Sequence, residues 1–137
     1  MSKKGFRRSC DIRPGKIGVT KCSSGYKRII TVSINRRNYF INALNEIPGV
    51  FSPMPMGAFY SIVRLPIDDS DKFCQWMLEE FEHNNATVMM APASGFYSTK
   101  GIGKNEVRVA YVLNIDDLKA AVECLKVALT VYPGRTF

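Results

Sequence analysis

Apolar residues along this chain follow two different periods in alternation, and each stretch is closed by proline, glycine or asparagine. That ordering restricts the fold more than any other feature, because a run with a period near 3.6 buries its stripe as a helix, while a β-branched and aromatic run between Gly and Pro buries its side chains as a strand. From the capping residues Ser23, Ser24 and Gly25 onward, Ile30, Ile34, Phe40, Ile41, Leu44 and Ile47 recur at helical spacings, with Asn35-Arg36-Arg37-Asn38 as a polar break on the exposed side and Pro48-Gly49 as the stop. Val50-Phe51-Ser52 reads as a short strand before the Pro-rich link Pro53-Met54-Pro55-Met56-Gly57, and Ala58 to Leu65 as a full strand. Asp68, Asp69 and Asp71 supply caps and first-turn acids for a helix placing Phe73, Trp76, Met77 and Phe81 on one face and Glu79, Glu80 and Glu82 on the other, stopped by Asn84-Asn85. Thr87 to Ala91, closed by Pro92, reads as a short buried strand, and Glu106 to Val112 as another. Asn114 and Asp116 can cap a last helix with Leu118, Ala121, Val122, Leu125 and Leu129 on one face, ended by Pro133-Gly134. The order helix, strand, helix, strand, strand, helix predicts an α+β fold, a two-layer sandwich in which a small sheet is covered by helices.

The 137 residues suffice for one domain with a real core. No stretch approaches 18 uninterrupted apolar residues, and the charged start Met1 to Arg8 has no apolar region behind it, so neither a membrane span nor a secretory signal is expected. The net charge of +7 suggests a nucleic-acid binder until it is divided by position. Residues 1–37 hold eleven Lys/Arg and one acid, Asp11, whereas residues 38–137 hold eight Lys/Arg against eleven acids. A basic surface spread over the fold is therefore excluded, and any nucleic-acid contact falls to the N-terminal arm, residues 1–25, a Lys-, Arg-, Gly- and Pro-containing segment without apolar periodicity.

The cysteines at 10, 22, 74 and 124 form no Cys-x-x-Cys pair, and the only histidine, His83, stands alone near a helix end. This spacing removes the common zinc sites and the nucleophiles that need a histidine beside them. It fits reduced thiols in a cytoplasmic protein, with Cys74 and Cys124 in the core and His83 as a C-terminal helix residue facing the dipole. Gly101-Ile102-Gly103-Lys104 is no phosphate loop, since the template requires glycine at Ser98 and a hydroxyl at Asn105; it reads as a flexible turn between strands. The acids at 68, 69, 71, 116 and 117 sit where helices begin and serve as caps without a metal. Arg108 is different. A guanidinium in the otherwise apolar strand Val107 to Val112 must reach solvent, an ion pair or a bound anion, since an unpaired buried charge is costly, and its planar fork suits a carboxylate.

Four segments in order then carry a resemblance: Asn35-Arg36-Arg37-Asn38 with Leu44 and Pro48-Gly49-Val50; Pro55-Met56-Gly57-Ala58-Phe59-Tyr60; Ala91-Pro92-Ala93-Ser94-Gly95-Phe96-Tyr97; and Val107-Arg108-Val109-Ala110-Tyr111. Together they resemble the C-terminal, small domain of class I/II pyridoxal-phosphate-dependent aminotransferases, closest to the aspartate aminotransferase group, over about residues 26–135, with residues 26–137 taken as the domain. The resemblance implies the small domain of the fold-type I transferases, which closes over the active site. It implies that Arg108 grips the α-carboxylate of an amino-acid or 2-oxo-acid substrate, and that Gly57 allows close backbone passage beside the cleft. It also implies pyridoxal 5′-phosphate as the cofactor of the full-length enzyme, held by a large domain that this sequence lacks. Lys4-Gly5-Phe6 and Arg13-Pro14-Gly15 echo the family's lysine motif with an interval one residue too long, making Lys4 a remnant of the Schiff-base lysine and Arg13 of a phosphate ligand.

The expectation is a truncated aminotransferase with little or no activity and no bound cofactor by itself. Its surface for the missing domain should lie exposed along the first helix and near Phe59, Trp76 and Tyr97, favouring self-association or a separate large domain. The alternatives are a non-catalytic interaction domain and a nucleic-acid-binding module using the basic arm.

Overall fold

The computed structural model describes residues 24–136; the basic arm up to residue 23, with Lys4, Arg13, Cys10 and Cys22, lies outside the described residues. The elements are α1 (Ser24–Asn45), β1 (Tyr60–Arg64), α2 (Ser70–Glu79), β2 (Ala91–Pro92), a 3₁₀ turn (Ser94–Phe96), β3 (Glu106–Ala110) and α3 (Ile115–Val131). The sheet is antiparallel with the order β1-β3-β2, so β3 is central. Because side chains alternate along a strand, Ser61, Val63, Val107 and Val109 turn into the core, while Tyr60, Arg64, Arg108 and Ala110 stand on an open face. This is the expected α+β class, with helices over one side of a small sheet.

The core joins Ile41 and Leu44 of α1, Phe73 and Met77 of α2, Val63 and Val107 of the sheet, and Leu118, Leu125 and Leu129 of α3, all essentially inaccessible to solvent. Each such burial contributes about 1.5–3 kcal/mol. Asp69 caps α2 by accepting from the N–H groups of Asp71 (2.9 Å) and Lys72 (3.2 Å), and Asn114 caps α3 by accepting from that of Asp117 (2.9 Å). Cys74 and Cys124 are buried free thiols. Burial first, and then the Asp71 charge, push the Cys74 thiol up to about 11.

Several local expectations are corrected. The periodicity of α1 puts Ile30 and Ile34 on the core stripe with Phe40, yet residues 28–35 are exposed around the whole helix, Ile29 at 66%. Period identifies a face, and only the arrangement of neighbours decides how much of that face is covered. Helix α2 ends at Glu79, so His83 is not a helix residue. It opens a tight turn in which His83 and Ala86 exchange backbone hydrogen bonds (2.9 and 3.1 Å) around Asn84 and Asn85, both at positive φ. Asparagine tolerates that conformation better than most residues. The buried strand expected over Thr87 to Ala91 reduces to Ala91–Pro92, and Met89 is 80% exposed. An apolar run becomes a strand only where a partner edge lies alongside, and β3 is reached only at Ala91, opposite Arg108. Pro92 lies within this edge strand rather than closing it, where its missing N–H costs little. Val50-Phe51-Ser52 makes a single bridge, Phe51 with Arg64.

Candidate functional site

Central position on the open face belongs to Arg108, between Ile62 on β1 and Ala91 on β2. Its guanidinium carbon stands 4.6 Å from the centre of the Phe96 ring and 5.4 Å from that of Tyr60. Both are cation–π distances. The 3₁₀ turn after β2 delivers Phe96, and β1 delivers Tyr60. No carboxylate within the described residues pairs with Arg108. A shallow groove of about 320 Å³ runs past it, lined also by Phe59, Tyr60, Met89 and Ala91. The arrangement offers a solvent-facing, positively charged fork with aromatic walls, suited chemically to a small carboxylate.

The acid nearest in sequence is Glu106, on the same face of β3 two residues earlier. It is engaged elsewhere: Tyr97 Oη donates to Glu106 Oε2 at 2.5 Å, and Arg64 Nη2 lies 3.9 Å from Oε1. The hydrogen bond to Glu106, and secondarily burial, raise the Tyr97 hydroxyl above its ordinary pKa. Tyr97 in turn lies over Gly103, in a turn where Gly101 and Gly103 both have positive φ. This segment is the turn expected from sequence.

Arg36 and Arg37 are not the exposed polar break that the helical pattern predicts, since both are partly buried. Arg36 Nη1 donates to the Val112 carbonyl (2.9 Å) and Arg37 Nη1 to that of Pro55 (3.0 Å), while Arg37 Nε and Nη2 hold Asn38 Oδ1. They fasten α1 to the two loops flanking the open face. Charge in a helical pattern signals solvent by default, so only their place in the ordered resemblance could have marked them. The loop carrying Gly57 is held from the residue that follows β3, since Tyr111 Oη donates to the carbonyls of Gly57 (3.2 Å) and Ala58 (3.1 Å). A Cβ at Gly57 would meet nothing of the described chain within 4 Å, and the left-handed residue is its neighbour Ala58 at φ 63°. Trp76, expected on an exposed patch with Phe59 and Tyr97, is instead half-buried among Phe73, Phe81 and Tyr132, with ring centres 5.1–6.2 Å apart. Phe59 and Tyr97 are exposed as expected.

An aldehyde cofactor such as pyridoxal phosphate needs an amine to hold it, a carboxylate for its ring nitrogen and donors for its phosphate. No lysine lines the groove beside Arg108, and Glu106 is taken by Tyr97 and Arg64. The described residues therefore fit a small carboxylate but not this cofactor. Lys4 and Arg13 lie outside the described residues. Among the described residues no cluster of His, Cys, Asp or Glu could hold a metal, and no helix is long and apolar enough to cross a membrane.

The fold recurs in known enzymes. The chain is 31% identical over 111 residues to a bifunctional aspartate aminotransferase and glutamate/aspartate-prephenate aminotransferase of Petunia hybrida, covering 72% of this chain and 21% of that protein. It superposes on the aspartate aminotransferase of Thermotoga maritima with a TM-score of 0.62 at 26% identity, over 76% of this chain and 24% of that one. An alanine aminotransferase from Pyrococcus furiosus gives 0.61 at 28% identity, over 73% and 24%. No family model matches. The chain spans about a fifth to a quarter of the curated relatives it matches. Sequence and fold together identify it as an aminotransferase-like fragment of the aspartate aminotransferase type, with the fold of the small domain of fold-type I pyridoxal-phosphate-dependent transferases.

Proposed function

We propose that residues 26–137 act as the substrate-closing small domain of an aspartate aminotransferase-like enzyme, transferring an amino group between an α-amino acid and a 2-oxo acid. The observation carrying this reading is the Arg108 guanidinium, central on the open face, flanked by Tyr60 and Phe96 and without a carboxylate partner among the described residues. Two parallel N–H groups would take both oxygens of the substrate α-carboxylate. The aromatic walls limit water at the fork and fix its plane, so the bound acid loses rotational freedom before reaction. Pyridoxal phosphate belongs to the whole enzyme, with its amine and phosphate partners outside the described residues. This chain alone contributes the grip and has little or no amino-transfer activity. Exposed Ile29, Ile30, Val32, Ile34, Met56 and Phe59 support the reading that this domain packs against more polypeptide than these residues supply.

Titration of the purified chain with acetate and 2-oxoglutarate, followed by ligand-observed NMR and, where the arginine is present, at the Arg108 Nε–H, should show binding. Arg108→Gln should weaken it about 10- to 100-fold, the range expected for a charged hydrogen-bonded contact. Binding unchanged by Arg108→Gln overturns the assignment, and measurable amino transfer by the chain alone overturns its inactivity.

A further inference from the structure

Among the described residues Arg108 has no carboxylate partner, although Glu106 occupies the same face of β3 two residues away. Successive residues on one face are separated by about 7 Å along a strand. An arginine and a glutamate can bridge that gap, and an ion pair between them would fill the fork that the substrate carboxylate needs. The Glu106 carboxylate instead accepts the Tyr97 hydroxyl at 2.5 Å on one oxygen and approaches Arg64 at 3.9 Å with the other. The direction of both contacts is set by the fold. Arg64 is the register partner of Glu106 across β1 and β3, and Tyr97 follows directly on Phe96, the ring against Arg108. One turn of chain thus supplies both a wall for Arg108 and a restraint on its competitor.

We propose that Tyr97 is a positioning residue that holds Glu106 away from Arg108 and so keeps the carboxylate grip vacant. The inference rests on the reading of Arg108 given above. Arg64 alone cannot do this, since at 3.9 Å and mostly exposed it is a loose pair of the kind that contributes little. Removing the Tyr97 hydroxyl releases Glu106 to swing along β3 and occupy the fork, and an external acid must then displace it.

The test is a double-mutant cycle on the full chain, with acetate as the probe, its affinity read by ligand-observed NMR, and the Arg108 Nε–H signal as a second reporter where the arginine is present. Tyr97→Phe retains the ring over Gly103 and should weaken acetate binding about 3- to 10-fold. In the Glu106→Gln background the same change should have no effect, because no competing charge remains. Without acetate, exchange of the Arg108 guanidinium protons should slow in Tyr97→Phe and return to normal in Tyr97→Phe/Glu106→Gln. A loss of affinity that persists in the Glu106→Gln background, or no loss in Tyr97→Phe, refutes the positioning role while leaving the carboxylate reading intact. Acetate binding indifferent to Arg108→Gln overturns both.

Discussion

Substituting Gly103 by alanine tests the connection between the glycine turn and the open face. Gly103 has φ +75°, and its conformation is pinned from several sides. Its carbonyl accepts from the Glu106 N–H (3.1 Å) and the buried Ser70 hydroxyl (3.4 Å), while the next carbonyl, of Lys104, accepts from the Ser70 N–H (2.6 Å). The backbone therefore stays left-handed after substitution, costing about 1–2 kcal/mol for an L-residue. A Cβ at this position would also stand 2.6 Å from Tyr97 Cε2 and 3.3 Å from the Ala93 carbonyl carbon, so the Tyr97 ring must move. Gly101 supplies the control: its φ is +89°, but nothing lies within 4 Å of its Cβ position. With about 2–8 °C of melting temperature per kcal/mol for domains bracketing this size, Gly101→Ala should lower Tm by about 2–16 °C, and Gly103→Ala should lower it further. Thermal unfolding followed by circular dichroism measures both. In a Tyr97→Ala background the excess at Gly103 should shrink toward the Gly101 value. Equal costs at the two glycines, or an excess that survives removal of the Tyr97 ring, would refute the claim that this ring is seated on Gly103.

Further outcomes follow from the core and from titration. Phe73→Ala removes a fully buried ring packed against Trp76 and Tyr132 and should cost about 3–5 kcal/mol in urea unfolding; a loss under about 1 kcal/mol would contradict its central place. Burial, and then the hydrogen bond to Asp68, push the Tyr132 hydroxyl up to about 12, and Cys74 is raised to about 11. Both groups are neutral when protonated and hold their protons more tightly in the folded state. Their stabilisation is complete below the ordinary thiol and phenol pKa values and is lost as pH rises through about 11 and then about 12, so urea midpoints should fall steeply above about pH 9. Tyr132→Phe should flatten the upper part of that fall, and an unchanged profile would sink the assignment.

Much of this architecture is legible from local chemistry. The caps at Asp69 and Asn114, the stripe of α3, the alternation in β1 and β3, and the thiols of Cys74 and Cys124 depend on residues close in sequence or on period alone. The ordered segments ending in Val107-Arg108-Val109 also suffice to indicate the aminotransferase fold, because their order is far more specific than any one of them. Other features require partners brought from a distance. Whether Met89 is inside or outside depends on where β2 meets β3, and whether Ile30 is covered depends on how far α1 outruns the body. The tasks of Arg36 and Arg37 depend on the carbonyls of Val112 and Pro55, distant in sequence. Composition and spacing determined that position 108 carries a cation on a strand. Only the tertiary structure decided that two rings would flank it and that Tyr97 would claim the neighbouring carboxylate, because contact partners are chosen by three-dimensional proximity and sequence fixes only the distance along the chain.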